Sequence, residues 1–141
     1  MSTEIPHGWL SYSPFHKMIN MELERLEHGE CVIRMAPRPE MSNAKGDLHG
    51  GMIASLLDIS MSQAARSTQP DPLQIKVSTI TLTVNYLSPS TGVVTVTAKV
   101  VRAGASICYV EAEAINAKGE IVAHATGTFR IIRPHKTPAA A

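Results

Sequence analysis

The sequence carries no excess charge of either sign. Thirteen Lys and Arg stand against twelve Asp and Glu, a formal net charge of +1. Nucleic-acid binders usually carry a basic stripe, so no nucleic-acid partner is expected. No apolar run approaches the roughly 20 residues that span a bilayer, and no membrane partner is expected. The first residues, Met1-Ser2-Thr3-Glu4-Ile5-Pro6-His7, lack a charged stretch followed by an apolar one, so no signal peptide is expected there. Cysteine is scarce. Cys31 and Cys108 lie far apart with no CxxC spacing, which fits reduced thiols in a cytoplasm better than a disulfide framework. The six histidines are scattered, with no HExxH and no Cys/His cluster. No metal or other cofactor is therefore expected. Repeats and low-complexity segments are also missing.

What remains is an ordinary globular balance, 44% hydrophobic and 18% charged over 141 residues. That length predicts a single domain, 1–141, with its core between about residues 20 and 132 and loosely held ends. Ser13 or Pro14 starts a short helix, since proline suits a first helical turn. Met21–Leu26 and Cys31–Met35 read as strands around a turn at His28-Gly29-Glu30. Residues Gly50 to Ser67 read as one long helix, about 27 Å at 1.5 Å per residue. Ile53, Leu56, Leu57, Ser60 and Ala64 share one face. Gly51, Ala54, Ser55, Asp58, Met61, Ser62 and Ala65 share the other, a face of small residues around one acid. Gln69-Pro70-Asp71-Pro72 ends the helix, because proline cannot continue it.

Four long strands follow: Ser78–Tyr86, Val93–Val101, Ile107–Ile115 and Glu120–Ile132. The first alternates, with Ile80, Leu82, Val84 and Tyr86 on one side and Thr79, Thr81, Thr83 and Asn85 on the other. Short connections between the four predict an antiparallel meander. Five or six strands wrapped around a single helix let each layer bury its apolar face. The expected class is therefore α+β.

One stretch asks for a chemical explanation. Paired glycines follow His49 at the start of the long helix, and Asp58 sits among Ile, Leu and Met in its middle. A helix start offers unpaired N–H donors and a positive dipole end. Glycine there lets a substrate carbonyl approach the backbone closely. A carboxylate in apolar surroundings becomes a better base. Asp58 equally fits a mid-helix acid paired with Arg or Lys, and Asn43 a turn residue. Gly50-Gly51 fits close helix–sheet packing, and Thr79 fits plain β-propensity. His7, His16, His28, His124 and His135 sit in no motif. Lys99, Arg102 and Lys118 read as solvated surface charges.

Asn43, His49-Gly50-Gly51, Asp58 and a strand ending in Tyr86-Leu87-Ser88-Pro89 together resemble the hotdog-fold acyl-CoA thioesterases. The likeness is to the phenylacetate-pathway (PaaI-type) branch. It implies a hotdog fold and hydrolysis of an acyl-CoA to free acid and CoA. By position, it assigns carbonyl polarisation to the Gly50 N–H with Asn43, and the catalytic acid to Asp58, as general base or nucleophile. It gives Thr79 a role in placing water, Gly51 a role in substrate binding, and His49 a structural role or one in substrate positioning. The chain departs from the family where Thr81, Thr83 and Ala105 stand in place of frequent acid, amide or arginine residues. Two other activities compete: a hotdog hydratase or dehydratase, and a non-catalytic acyl-CoA-binding module. The Asn43 and Asp58 spacing favours hydrolysis.

The resemblance also implies a homo-oligomer, a dimer with shared sites that pairs into a tetramer. An open sheet edge and a small-residue helix face both call for a neighbour. Light scattering is expected to give a multiple of 15.2 kDa. A mass equal to one chain would count against shared sites.

Overall fold

The computed structural model describes residues 5–134. His135 and most of the tail read as frayed lie outside them, as do residues 1–4. A short helix α1 (Pro14–Ile19) begins at Ser13, whose hydroxyl caps it by accepting from the His16 N–H. Strands β1 (Glu22–Glu27) and β2 (Glu30–Met35) form the expected hairpin. The long helix α2 spans Gly50–Ser67, as its apolar spacing predicts. Strands β3 (Lys76–Tyr86), β4 (Val94–Ala103), β5 (Ile107–Ile115) and β6 (Ile121–Ile132) complete one antiparallel sheet.

The strand order is β1-β2-β4-β5-β6-β3. This is the hotdog arrangement, a six-stranded sheet around one helix. It corrects the four-strand meander in one respect. Only β4, β5 and β6 run as a meander, while β3 lies beyond β6 at the far edge and β4 pairs with β2. The connection from β3 to β4 must therefore cross two strands. Three strand spacings are about 14 Å, within reach of seven extended residues. On the way, Leu87 and Ser88 donate to the Val122 carbonyl, and Ala117 donates to Thr91. Sequence gaps alone do not distinguish such a crossing from a hairpin.

The core lies between α2 and the inner face of the sheet. Ile53, Leu56, Leu57, Ser60 and Ala64 are buried as expected. Met61 and Ala65 are buried too, not on the open side as the simple two-face division has them. Nine of the eighteen α2 residues are buried, so the buried arc is broader than a narrow seam. Beneath it the sheet offers small side chains: Ala98, Ala112, Ala114, Ala123 and Ala125 are all at most 3% exposed. They allow the helix axis to come close.

Two polar side chains fix the ends of the arrangement. Buried Gln63 receives the Leu10 and Ser11 N–H groups and donates to the Ser11 carbonyl, tying the N-terminal segment to α2. Buried Arg66 donates to the Pro72 and Ile75 carbonyls and turns the chain back toward β3.

Buried Gly127 leaves no room for a side chain. A Cβ there would stand 2.7 Å from the Phe129 ring and 3.3 Å from the Met61 methyl. Gly127→Ala is expected to destabilise the protein by about 1–3 kcal/mol through overpacking. Urea unfolding measures this, and an unchanged midpoint would show that the ring yields freely.

Candidate active site

His49 has the non-helical backbone of an N-cap, and its Nδ1 accepts the Gly51 N–H at 2.8 Å. The ring is therefore unprotonated at Nδ1. His49 is a structural cap, and it leaves the two glycines unequal. The Gly51 N–H is occupied, whereas the Gly50 N–H has no acceptor among the described residues. Gly50 is held from the other side by Tyr86, whose hydroxyl donates to the Gly50 carbonyl at 2.6 Å. A Cβ on Gly50 would stand 3.3 Å from the Tyr86 ring. The sequence places Tyr86 on the apolar side of its strand and in the Tyr86-Leu87-Ser88-Pro89 run that carries the resemblance, with no role of its own. Its phase along β3 was legible, but not the element it would meet.

Asn43 organises the loop before the helix. Its Oδ1 accepts from the Lys45 N–H at 2.9 Å and from the Asp47 N–H at 3.1 Å. An isolated bridge between Ser42 and Leu48 closes the loop. Both acceptor sites are thus used for the turn, and the side-chain NH2 remains as the donor.

Asp58 is half-buried rather than enclosed among apolar side chains. The Thr79 hydroxyl donates to its Oδ1 at 2.7 Å. No Arg or Lys pairs with Asp58 among the described residues. The contact with Thr79 corrects the alternation along β3. A bulge between Thr79 and Thr81 shifts the register, so that Thr79 opposes buried Phe129 while Leu82 opposes Gly127 and Val84 opposes Ala125. One extra residue moves every side chain before it to the other face. Thr79 therefore faces the helix with Leu82, Val84 and Tyr86, not outward with Thr81, Thr83 and Asn85. Nothing in a regular alternation signals the bulge.

The structure thus forms two clusters, Gly50 with His49 and Tyr86, and Asp58 with Thr79. They do not meet within one chain. Gly50 and Asp58 are eight residues apart on one helix, about 12 Å along its axis. Around both, β3 and the residue after it leave apolar side chains in solvent: Ile80, Leu82, Tyr86 and Leu87 are all exposed.

A family model described as the thioesterase superfamily matches residues 45–123, the stretch that includes the helix and most of the sheet. The chain belongs to the thioesterase superfamily. Among relatives, the medium/long-chain acyl-CoA thioesterase YigI of Escherichia coli is 31% identical over 134 residues, covering 85% of this chain and 86% of its own. Among solved structures, a thioesterase family protein from Silicibacter pomeroyi superimposes with a TM-score of 0.81 at 24% identity, covering 86% of this chain and 91% of its own. The Escherichia coli PaaI protein of the phenylacetic acid degradation operon gives 0.77 at 23%, covering 89% and 87%. At such identities the two structures carry the fold. They bear out the hotdog architecture and the likeness to PaaI in shape. Among the described residues of this thioesterase, no three His, Cys, Asp or Glu side chains converge as a metal set. None of its described helices is long and apolar enough to cross a membrane.

His49→Ala removes the cap and is expected to cost about 1 kcal/mol. Thermal unfolding reads this as a drop of a few degrees. A melting point unchanged from wild type would mean that the cap carries no stability.

Proposed function

We propose that this thioesterase hydrolyses an acyl-CoA to the free acid and CoA, at sites shared between two copies of the chain. The carrying observation is the separation of the two clusters. A carbonyl bound at the Gly50 N–H lies about 12 Å along the helix from the same chain's Asp58. A second copy of the helix, running the other way, would bring its own Asp58 to that carbonyl. The unpaired β3 edge and the exposed apolar residues around it support such a neighbour, since open edges and apolar patches are rarely left in solvent. A dimer of this kind holds two equivalent sites and pairs further into a tetramer. The acyl-CoA activity of the YigI relative supports the substrate class.

The chemistry follows from charge. Attack on a thioester puts negative charge on the carbonyl oxygen. The Gly50 N–H at a positive helix end, with the Asn43 side-chain NH2, stabilises that charge. Thr79 donates its proton to Asp58 Oδ1 and keeps lone pairs to accept from a water. Asp58 Oδ2 then takes the water's proton as the oxygen bonds to the acyl carbon. The C–S bond breaks and the proton ends on the CoA sulfur. In the alternative path Asp58 itself attacks, and water opens the resulting anhydride. Both buried cysteines are free, and burial pushes the Cys31 thiol up to about 12. Two buried cysteines without a disulfide suit a cytoplasmic enzyme.

Release of free CoA from a panel of acyl-CoAs, followed with a thiol reagent, tests the proposal. Asp58→Asn is expected to lower kcat by about 100-fold or more while acyl-CoA still binds. Thr79→Val should lower it by about tenfold, the worth of a hydrogen bond to a charged group. Undiminished turnover by Asp58→Asn would sink the assignment.

A further inference from the structure

A groove with a volume of about 470 Å³ runs between α1 and the first turns of α2. Its walls include Phe15, Met18, Met41 and Met52, and it reaches His49 and Gly51 on either side of Gly50. The groove is a built feature. Gln63 pins the chain just before α1, and α1 is capped by Ser13. Trp9, Tyr12 and His16 pack their rings together with centroids 5.4–5.6 Å apart. Yet the helix so anchored leaves Met18 58% exposed and Phe15 39% exposed. Two large apolar side chains on a firmly held helix, facing a cleft, need an occupant.

We infer that this groove receives the acyl chain of the substrate, and that the chain is a flexible aliphatic one. The inference rests on the acyl-CoA reading above. A thioester held at the Gly50 N–H has two arms. The CoA arm carries amides and phosphates, whereas the Phe15, Met18, Met41 and Met52 walls of the groove suit an arm of carbon and hydrogen. The groove's one cation, Arg38, is already engaged by Glu40 at 3.3 Å and by the Met18 carbonyl at 2.6 Å. It offers no free charge to a phosphate. Three unbranched, polarisable methionines adapt to a chain of variable conformation better than a rigid slot would. At ~30 Å³ for each heavy atom, the volume admits on the order of ten to twenty heavy atoms. The groove therefore sets chain-length preference, with Met18 and Phe15 as the specificity-determining residues.

The test is kcat/KM for acetyl-, butyryl-, octanoyl- and dodecanoyl-CoA with wild type, Met18→Glu and Met18→Leu. All four substrates share the CoA arm, so an effect on that arm moves every value alike. For wild type, efficiency is expected to rise with each methylene that enters the groove, by up to about fourfold. Met18→Glu should then lose about tenfold or more on octanoyl- and dodecanoyl-CoA, and less than about twofold on acetyl-CoA. Met18→Leu should keep the wild-type profile. Circular dichroism establishes that each variant is folded, and a Phe15→Glu variant repeats the test from the opposite end of α1. A flat wild-type profile, or equal losses at all lengths, overturns the groove assignment while leaving hydrolysis intact. No thiol release from any substrate by wild type would instead overturn the acyl-CoA reading itself.

Discussion

The structure depends on one packing constraint. An eighteen-residue helix must seat a broad apolar arc on a curved sheet. It does so because the sheet's inner face is lined with alanine and one glycine, Gly127, at the points of closest approach. Everything placed on the rest of the helix is left facing outward. His49, Gly51, Ser55 and Asp58 lie there. A wider polar helix would have spent this face on Lys and Glu for solubility. Here it is short of charge, and the one acid on it stands beside a strand hydroxyl rather than a base. The same packing that makes the core therefore presents the chemistry on the opposite side.

The far edge of the sheet completes that presentation. Strand β3 bends over α2 at both ends of the site, Tyr86 reaching the Gly50 carbonyl and Thr79 reaching Asp58. The bulge between Thr79 and Thr81 makes this possible, since a regular strand would turn one of the two side chains away. Yet β3 is also the least covered strand, exposed along nearly all its length. The strand that holds both clusters is thus also an open edge of the sheet. The shared site we propose would lie along that edge.

Much of this was legible in the residues. The period of Ile53, Leu56, Leu57, Ser60 and Ala64 marked the helix and its buried face, because burial against a sheet selects that spacing. Proline at 14, 70 and 72 and glycine at 29 and 119 punctuated the elements, because their backbones fit turns and helix starts. Asn43, Gly50 and Asp58 stood out by chemical type, an amide before a glycine-led helix and an acid without charged company. Together with His49, Gly51 and the strand end Tyr86-Leu87-Ser88-Pro89, they carried the resemblance to the hotdog thioesterases, and the family match bears it out. Met18 and Gln63 did not stand out, since a methionine in a short helix and a glutamine in a long one are ordinary in type. Their importance lies in what they meet.

The sequence by itself determined the elements, their buried faces and the kinds of chemical group available. Those are properties of short windows, where period and turn chemistry act through neighbours a few residues away. Only the tertiary structure decided that β3 lies at the far edge, that Thr79 faces the helix beside Asp58, and that Tyr86 meets the Gly50 carbonyl. Strand order, bulges and the cleft between α1 and α2 arise from contacts between residues distant in the chain. Their energies come from packing whole surfaces together, which no local pattern encodes.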